Sequence, residues 1–120
     1  MATKETIEAY VAAWNEPDEA KRHSILEKAW TRDATYTDPM SHADGLDELV
    51  ALVSQFHKQM PGAQIARASG IDEQHGRLRF AWKLQMGDGS TRMEGIYISH
   101  LAEDGRLQSI VGFFGPPLAA

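Results

Sequence analysis

The stretch Asp33-Ala34-Thr35-Tyr36-Thr37-Asp38-Pro39 decides how this chain is read. Thr35, Tyr36 and Thr37 favour extended backbone, and a residue before proline is pushed into β or polyproline geometry. The segment therefore reads as a short strand set among helical segments. Side chains alternate along a strand, so Tyr36 and Asp38 share one face and Thr35 and Thr37 the other. If the first face is the inside of a pocket, Asp38 is a carboxylate fixed on a stiff backbone at the pocket wall. Read locally, Asp38 can equally do no more than open an Asx-type turn before Pro39.

Working outward, Ile7, Tyr10, Val11 and Trp14 recur at helical spacing and form one apolar stripe. Thr3 is the expected cap of that helix, and Pro17 bars its direct continuation. A second helix is expected from about residue 18 to 30, starting at Asp18 and turning Ile25, Leu26, Ala29 and Trp30 inward. After the strand, a polar loop from Met40 to Asp44 leads to Gly45 and a third helix. There Leu46, Leu49, Val50, Val53, Phe56 and Met60 keep the helical period until Pro61-Gly62 closes it.

From residue 64 the period becomes two. Leu78, Phe80, Trp82, Leu84 and Met86 alternate with Arg77, Arg79, Ala81, Lys83 and Gln85. His75-Gly76, Gly87-Asp88-Gly89 and Asp104-Gly105 are turn signals that separate strands at roughly 64–74, 77–87, 91–102 and 106–114. The order is α-α-β-α-β-β-β-β. That predicts an α+β fold of three helices packed against a curved antiparallel sheet, a cone-shaped half-barrel with an internal pocket. The length suits a single domain spanning 1–120.

Composition narrows the function. The net charge is −5 and the 12 basic residues are scattered, which argues against a nucleic-acid partner. There is no cysteine, so disulfides, thiolate catalysis and cysteine metal sites are excluded. The five histidines include no i, i+4 pair, so neither a metal nor another cofactor is expected. No run of about 20 apolar residues offers a membrane span. The first residues do not read as a signal peptide, and the expectation is a cytoplasmic protein.

The inward positions are rich in large side chains: Tyr10, Trp14, Tyr36, Phe56, Trp82, Met86, Tyr97 and Phe114, with Met60 and Leu84 on the same stripes. These are the candidate lining of a pocket for a small apolar molecule, and equally an ordinary hydrophobic core. Three polar groups share the stripes, namely Tyr10, Asp38 and Ser99. A buried phenol needs a partner. His42, after Pro39, is read as a solvated loop residue or one that overhangs the pocket mouth. Arg77, Arg79, Lys83 and Glu94 fall on the outer sheet face together with Ile96 and Ile98, whose exposure there points to a homodimer through that face.

The segments Tyr10-Val11-Ala12-Ala13-Trp14-Asn15 and Asp33 to Pro39, the helix from Gly45 to Pro61, Ile98-Ser99-His100-Leu101 and Gly105 to Gly115 resemble the nuclear transport factor 2-like superfamily. Within it the pattern is most similar to the ketosteroid isomerase and SnoaL-like polyketide cyclase branch. The resemblance implies a general-base role for Asp38 and an oxyanion-donor role for Tyr10. It puts Ser99 where those isomerases carry a protonated aspartic acid as second donor. A serine hydroxyl is a weaker donor than a neutral acid in an apolar site, so the expectation shifts from steroid isomerisation to related proton transfer on another carbonyl compound. The epoxide-hydrolase pattern fails at Ala81, two residues after Arg79, and the last strand, Leu107 to Phe114, carries no acid for either that branch or the cyclases. Dehydratase chemistry of this fold would need two inward histidines, and His100 alternates away from Ser99. The resemblance thus implies a cofactor-independent acid–base enzyme of isomerase or cyclase/lyase type. A non-catalytic binding module and a structural dimer with a filled cavity stand as the alternatives.

Overall fold

The computed structural model describes residues 2–120. Its elements are α1 (Thr3–Asn15), α2 (Glu19–Ala29), β1 (Trp30–Asp38), β2 (Ser41–Asp44), α3 (Leu46–Gln59), β3 (Gln64–Arg67), β4 (Asp72–Gln74), β5 (Arg77–Gln85), β6 (Thr91–Leu101) and β7 (Leu107–Phe114). The strands form one open sheet in the order β2-β1-β7-β6-β5-β3, with β4 also paired to β5. Helices and sheet enclose an aromatic core, so the expected α+β half-barrel is the fold observed.

Several local expectations are corrected. Thr3 is the first helical residue rather than the cap; the Glu5 carboxylate instead accepts from Ala2 N–H at 3.3 Å. Asp18 does cap α2, accepting from Lys21 N–H at 3.0 Å. Trp30 belongs to β1, fully buried, and not to the inward face of α2. The stretch after Met40 is strand β2, not loop, because Pro39-Met40 makes a two-residue turn and Asp38 pairs with Ser41. The strand expected at 64–74 is broken into β3 and β4 around Gly70. The sheet is antiparallel except for one pair, since β1 runs parallel to β7 with Tyr36 beside Ile110.

Two polar devices hold the helices to the sheet. The Asn15 side chain, at the end of α1, donates to Ile65 O and accepts from Ile65 N–H, both at 2.8 Å, which completes the backbone hydrogen bonding of edge strand β3. Arg22 is buried beneath α3, and its guanidinium donates to Glu16 O (2.8 and 3.1 Å), Val50 O (3.2 Å) and Ser54 Oγ (2.6 Å). It stitches the α1–α2 turn to α3, a role that helical periodicity does not announce because an arginine there reads as solvent-facing.

The concave face is crowded enough that backbone must give way to rings. Gly95 on β6 lies between Trp82 of β5 and Phe114 of β7. A Cβ built there would collide with Phe113 O and come 2.5 Å from the Trp82 indole. Gly112 on β7 pairs with Tyr97, and a Cβ there would sit 3.0 Å from the Tyr97 ring and 3.5 Å from Asp38 Cβ. Overpacking a filled core costs about 1–3 kcal/mol, and more where backbone is the obstacle. Gly95→Ala is therefore expected to lose about 3 kcal/mol of unfolding free energy or more. Gly112→Ala, opposed only by a side chain, should lose about 1 kcal/mol. Urea unfolding of the two variants checks both the sizes and their order.

Candidate active site

Strand alternation brings Tyr36 and Asp38 to the concave face, as their spacing predicts. The Tyr36 phenol donates to Asp38 Oδ2 at 2.6 Å, and Met40 N–H donates to Asp38 Oδ1 at 2.8 Å. The second contact is the Asx-type turn that the sequence allowed. Turn and pocket wall are thus one arrangement, since the turn that reverses β1 into β2 also fixes the carboxylate. Asp38 is half-buried, with both oxygens already accepting.

Asp38 lies in the wall of a cavity of about 360 Å³, within the usual range for small-ligand sites. Trp14, Tyr36, Phe56, Met60, Trp82, Leu84, Tyr97 and Phe114, all expected on the lining, are there. Met86 is not; it packs against the core, half-buried, at the end of the β5 alternation. The cavity also takes Met40, Ser41, Leu52, Gln55, Gln59, Ile65 and Met93. Of these, Leu52 and Gln59 lie four residues before and three after Phe56 on α3, and Gln55 lies three after Leu52 and four before Gln59, a helical spacing available in the sequence. Ser41 was hidden by reading β2 as loop.

Tyr10 and Ser99 do not reach the cavity. Tyr10 is wholly buried, stacked on Trp30 at 6.1 Å and edge-on to Tyr97 at 5.8 Å. Ser99 is buried between Leu78 and Ile110. Both hydroxyl oxygens, and the indole nitrogens of Trp14 and Trp82, lack a partner in hydrogen-bond geometry. Tyr10 is still close enough to Tyr97 and Trp14 for their polar groups to act on its ionisation. Two phenols are on the cavity wall, Tyr36, which donates to Asp38, and Tyr97. Tyr97 lies over Gly112, one strand away from Asp38 on the same sheet face, with ring centroids 5.6 Å from Trp82 and 6.4 Å from Tyr36. Burial pushes the Tyr97 phenol up to about 12, while the facing Tyr10 and Tyr36 phenols pull it down. Burial raises Tyr10 and Tyr36 further still.

His42 is turned to the other face of the sheet, its ring nitrogens 2.8 Å from Thr37 Oγ1 and 2.9 Å from Asp44 Oδ1, and takes no part in the cavity. Among the described residues no group of histidine and carboxylate side chains could hold a metal ion. No helix among them is long and apolar enough to cross a membrane.

No protein-family model matches the chain, and no curated protein matches it in sequence. Solved structures do. A candidate isomerase of the SnoaL-like family from Agrobacterium tumefaciens str. C58 superposes with a TM-score of 0.89 at 28% identity, covering 97% of this chain and 100% of that one. A nuclear transport factor 2-like protein of unknown function from Exiguobacterium sp. 255-15 gives 0.74 at 17% identity over 93% and 99%. A candidate SnoaL-like polyketide cyclase from Jannaschia sp. CCS1 gives 0.68 at 11% identity over 92% and 85%. The resemblance noted in the sequence is therefore matched by likeness in structure.

The chain has three tyrosines, and all are buried. Each has its folded-state pKa raised above the ordinary value of 10, so its contribution to stability is whole below about pH 10 and is lost as pH rises beyond it. Each such phenol removes about 1.4 kcal/mol per pH unit there, about 4 kcal/mol for three. Alkaline titration at 295 nm should show no phenolate until the protein unfolds, in one cooperative step above about pH 11. A separate phenolate step near pH 10 in the folded protein would contradict the burial.

Proposed function

We propose that this chain, with its nuclear transport factor 2-like fold and SnoaL-like structural relatives, is a cofactor-independent enzyme that moves a proton on a small, largely apolar carbonyl compound. The observation that carries the reading is a carboxylate and a second phenol, Asp38 and Tyr97, in the wall of one aromatic cavity. Asp38 removes the proton from the carbon next to the carbonyl. The bonding pair shifts to make an enolate, and the carbonyl oxygen takes the negative charge. The Tyr97 phenol donates to that oxygen, with Tyr10 behind it supporting the donor rather than touching substrate. Ser99 has no direct part in this reading. In a β,γ-unsaturated substrate the proton returns at the γ carbon as the double bond shifts, an isomerisation. An enolate whose carbon instead attacks a second carbonyl of the substrate opens a cyclisation, and one that expels a β leaving group completes an elimination. Trp14, Phe56, Met60, Trp82, Leu84 and Phe114 keep water from the enolate, where a fixed donor acts most strongly.

The test is exchange of α-hydrogens into heavy water, followed by proton NMR over a panel of one- and two-ring ketones. A positioned general base is worth about 100- to 10,000-fold, and Asp38→Asn should lower exchange by that range. Loss of one oxyanion donor costs about 100- to 1,000-fold, expected for Tyr97→Phe and exceeding the loss for Tyr10→Phe. An Asp38→Asn variant as active as the parent removes Asp38 from the mechanism. The completed hydrogen bonds of Asp38 favour one other reading, a binding module without chemistry. Saturable ketone binding with no exchange would support it.

The same reading includes a cytoplasmic homodimer joined through the outer sheet face. Ile98 and Phe113 are 39% and 55% exposed there, and each pairs across strands with a further apolar residue, Val111 and Ile96. A two-fold contact would cover this patch on both copies at once. Sedimentation should give a dimer that becomes monomer in Ile98→Lys/Phe113→Glu; a monomeric parent protein overturns it.

A further inference from the structure

The cavity has an unbalanced charge. Its wall holds one carboxylate, Asp38, and among the described residues no lysine, arginine or histidine. Six aromatic rings share the wall: Trp14, Tyr36, Phe56, Trp82, Tyr97 and Phe114. They interlock, with centroids of 5.4 Å for Trp14–Phe56, 5.5 Å for Trp14–Tyr36 and 5.7 Å for Trp82–Phe114. Ring faces are the negative side of the aromatic quadrupole and attract cations, most strongly where water is excluded. Asp38 accepts from the Tyr36 phenol and from Met40 N–H, and no basic side chain in the wall pairs with it. The chain's net charge of −5 acts in the same direction at longer range.

We infer that the ligand of this cavity brings the missing positive charge itself: it is a ring-sized apolar molecule bearing a protonated or quaternary amine, seated on the aromatic wall within reach of Asp38. This rests on the reading of the cavity as a ligand site, and it names the substrate class within it, a carbonyl compound that also carries an ammonium group. Size agrees. At about 30 Å³ per water, the cavity equals roughly a dozen waters, enough for a small ring with a compact head group. Chemistry agrees as well. A fixed ammonium makes a neighbouring C–H more acidic and offsets enolate charge, which the buried Ser99 hydroxyl does not reach. Anionic substrates would meet Asp38 and the ring faces with no compensating cation.

Three unreactive probes of nearly one shape test this by calorimetry: benzyltrimethylammonium, neutral neopentylbenzene and the anion phenylmethanesulfonate. The cation should bind at least ten-fold more tightly than the neutral probe, and the sulfonate more weakly than either. Asp38→Asn should cut the preference for the cation over neopentylbenzene several-fold. Trp82→Leu should weaken the cation further, with its folding checked by thermal melting. A cation no tighter than the neutral probe, a preference that survives Asp38→Asn intact, or no saturable binding by any probe overturns the inference. If the cation preference fails while α-hydrogen exchange still depends on Asp38, proton transfer stands and the substrate is uncharged. If the preference holds and exchange ignores Asp38, the cation site stands without the chemistry.

Discussion

Room for large rings on the concave face of a curved sheet is the constraint on which the rest of this structure depends. Six aromatic side chains and a carboxylate converge on one cavity, and close-packed interiors leave no slack for them. The space comes from the backbone, at Gly95 beneath Trp82 and Gly112 beneath Tyr97. Gly112 also touches the position of Asp38 Cβ, so one bare α-carbon lets a phenol of β6 and a carboxylate of β1 approach across the strand between them.

Much of this was legible before any coordinates, for a plain physical reason. Period-two alternation is a geometric rule, so Tyr36 with Asp38, and Trp82 with Leu84, had to share a face. What was not legible is depth. Helical and strand periods say which side a residue takes but not how far behind the wall it ends, so Tyr10 on α1 and Ser99 on β6 turn inward without reaching the cavity. Met86 fails differently, because it follows the last residue of β5 and the alternation stops there. Short polar strands carry little hydrophobic signal, which is why β2 read as a loop. Arg22 and Asn15 act through backbone atoms distant in sequence, at Val50 and Ile65, and no local pattern encodes such partners.

The cavity also separates two tasks that a single phenol is often asked to perform. In the proposed reaction Tyr36 holds the carboxylate and Tyr97 faces the ligand. Tyr10 stiffens the cluster from behind, its ring set between Trp30 and Tyr97. A wall of this kind orients by shape and quadrupole, with few directional hydrogen bonds. Selectivity would then come from charge and thickness of the ligand more than from a pattern of donors.

The parallel pairing of β1 with β7 has a consequence for how the protein comes into being. Thr35 aligns with Ser109 and Thr37 with Val111, so the strand bearing Asp38, paired early with β2, gains its second neighbour only from about 70 residues further along the chain. Contacts across so long a loop form late and slowly. During synthesis the three helices and the earlier hairpins precede it, while the floor under the carboxylate is still missing. The hollow is thus the last part of the molecule to exist, and until β7 docks an unfinished chain shows its rings to solvent.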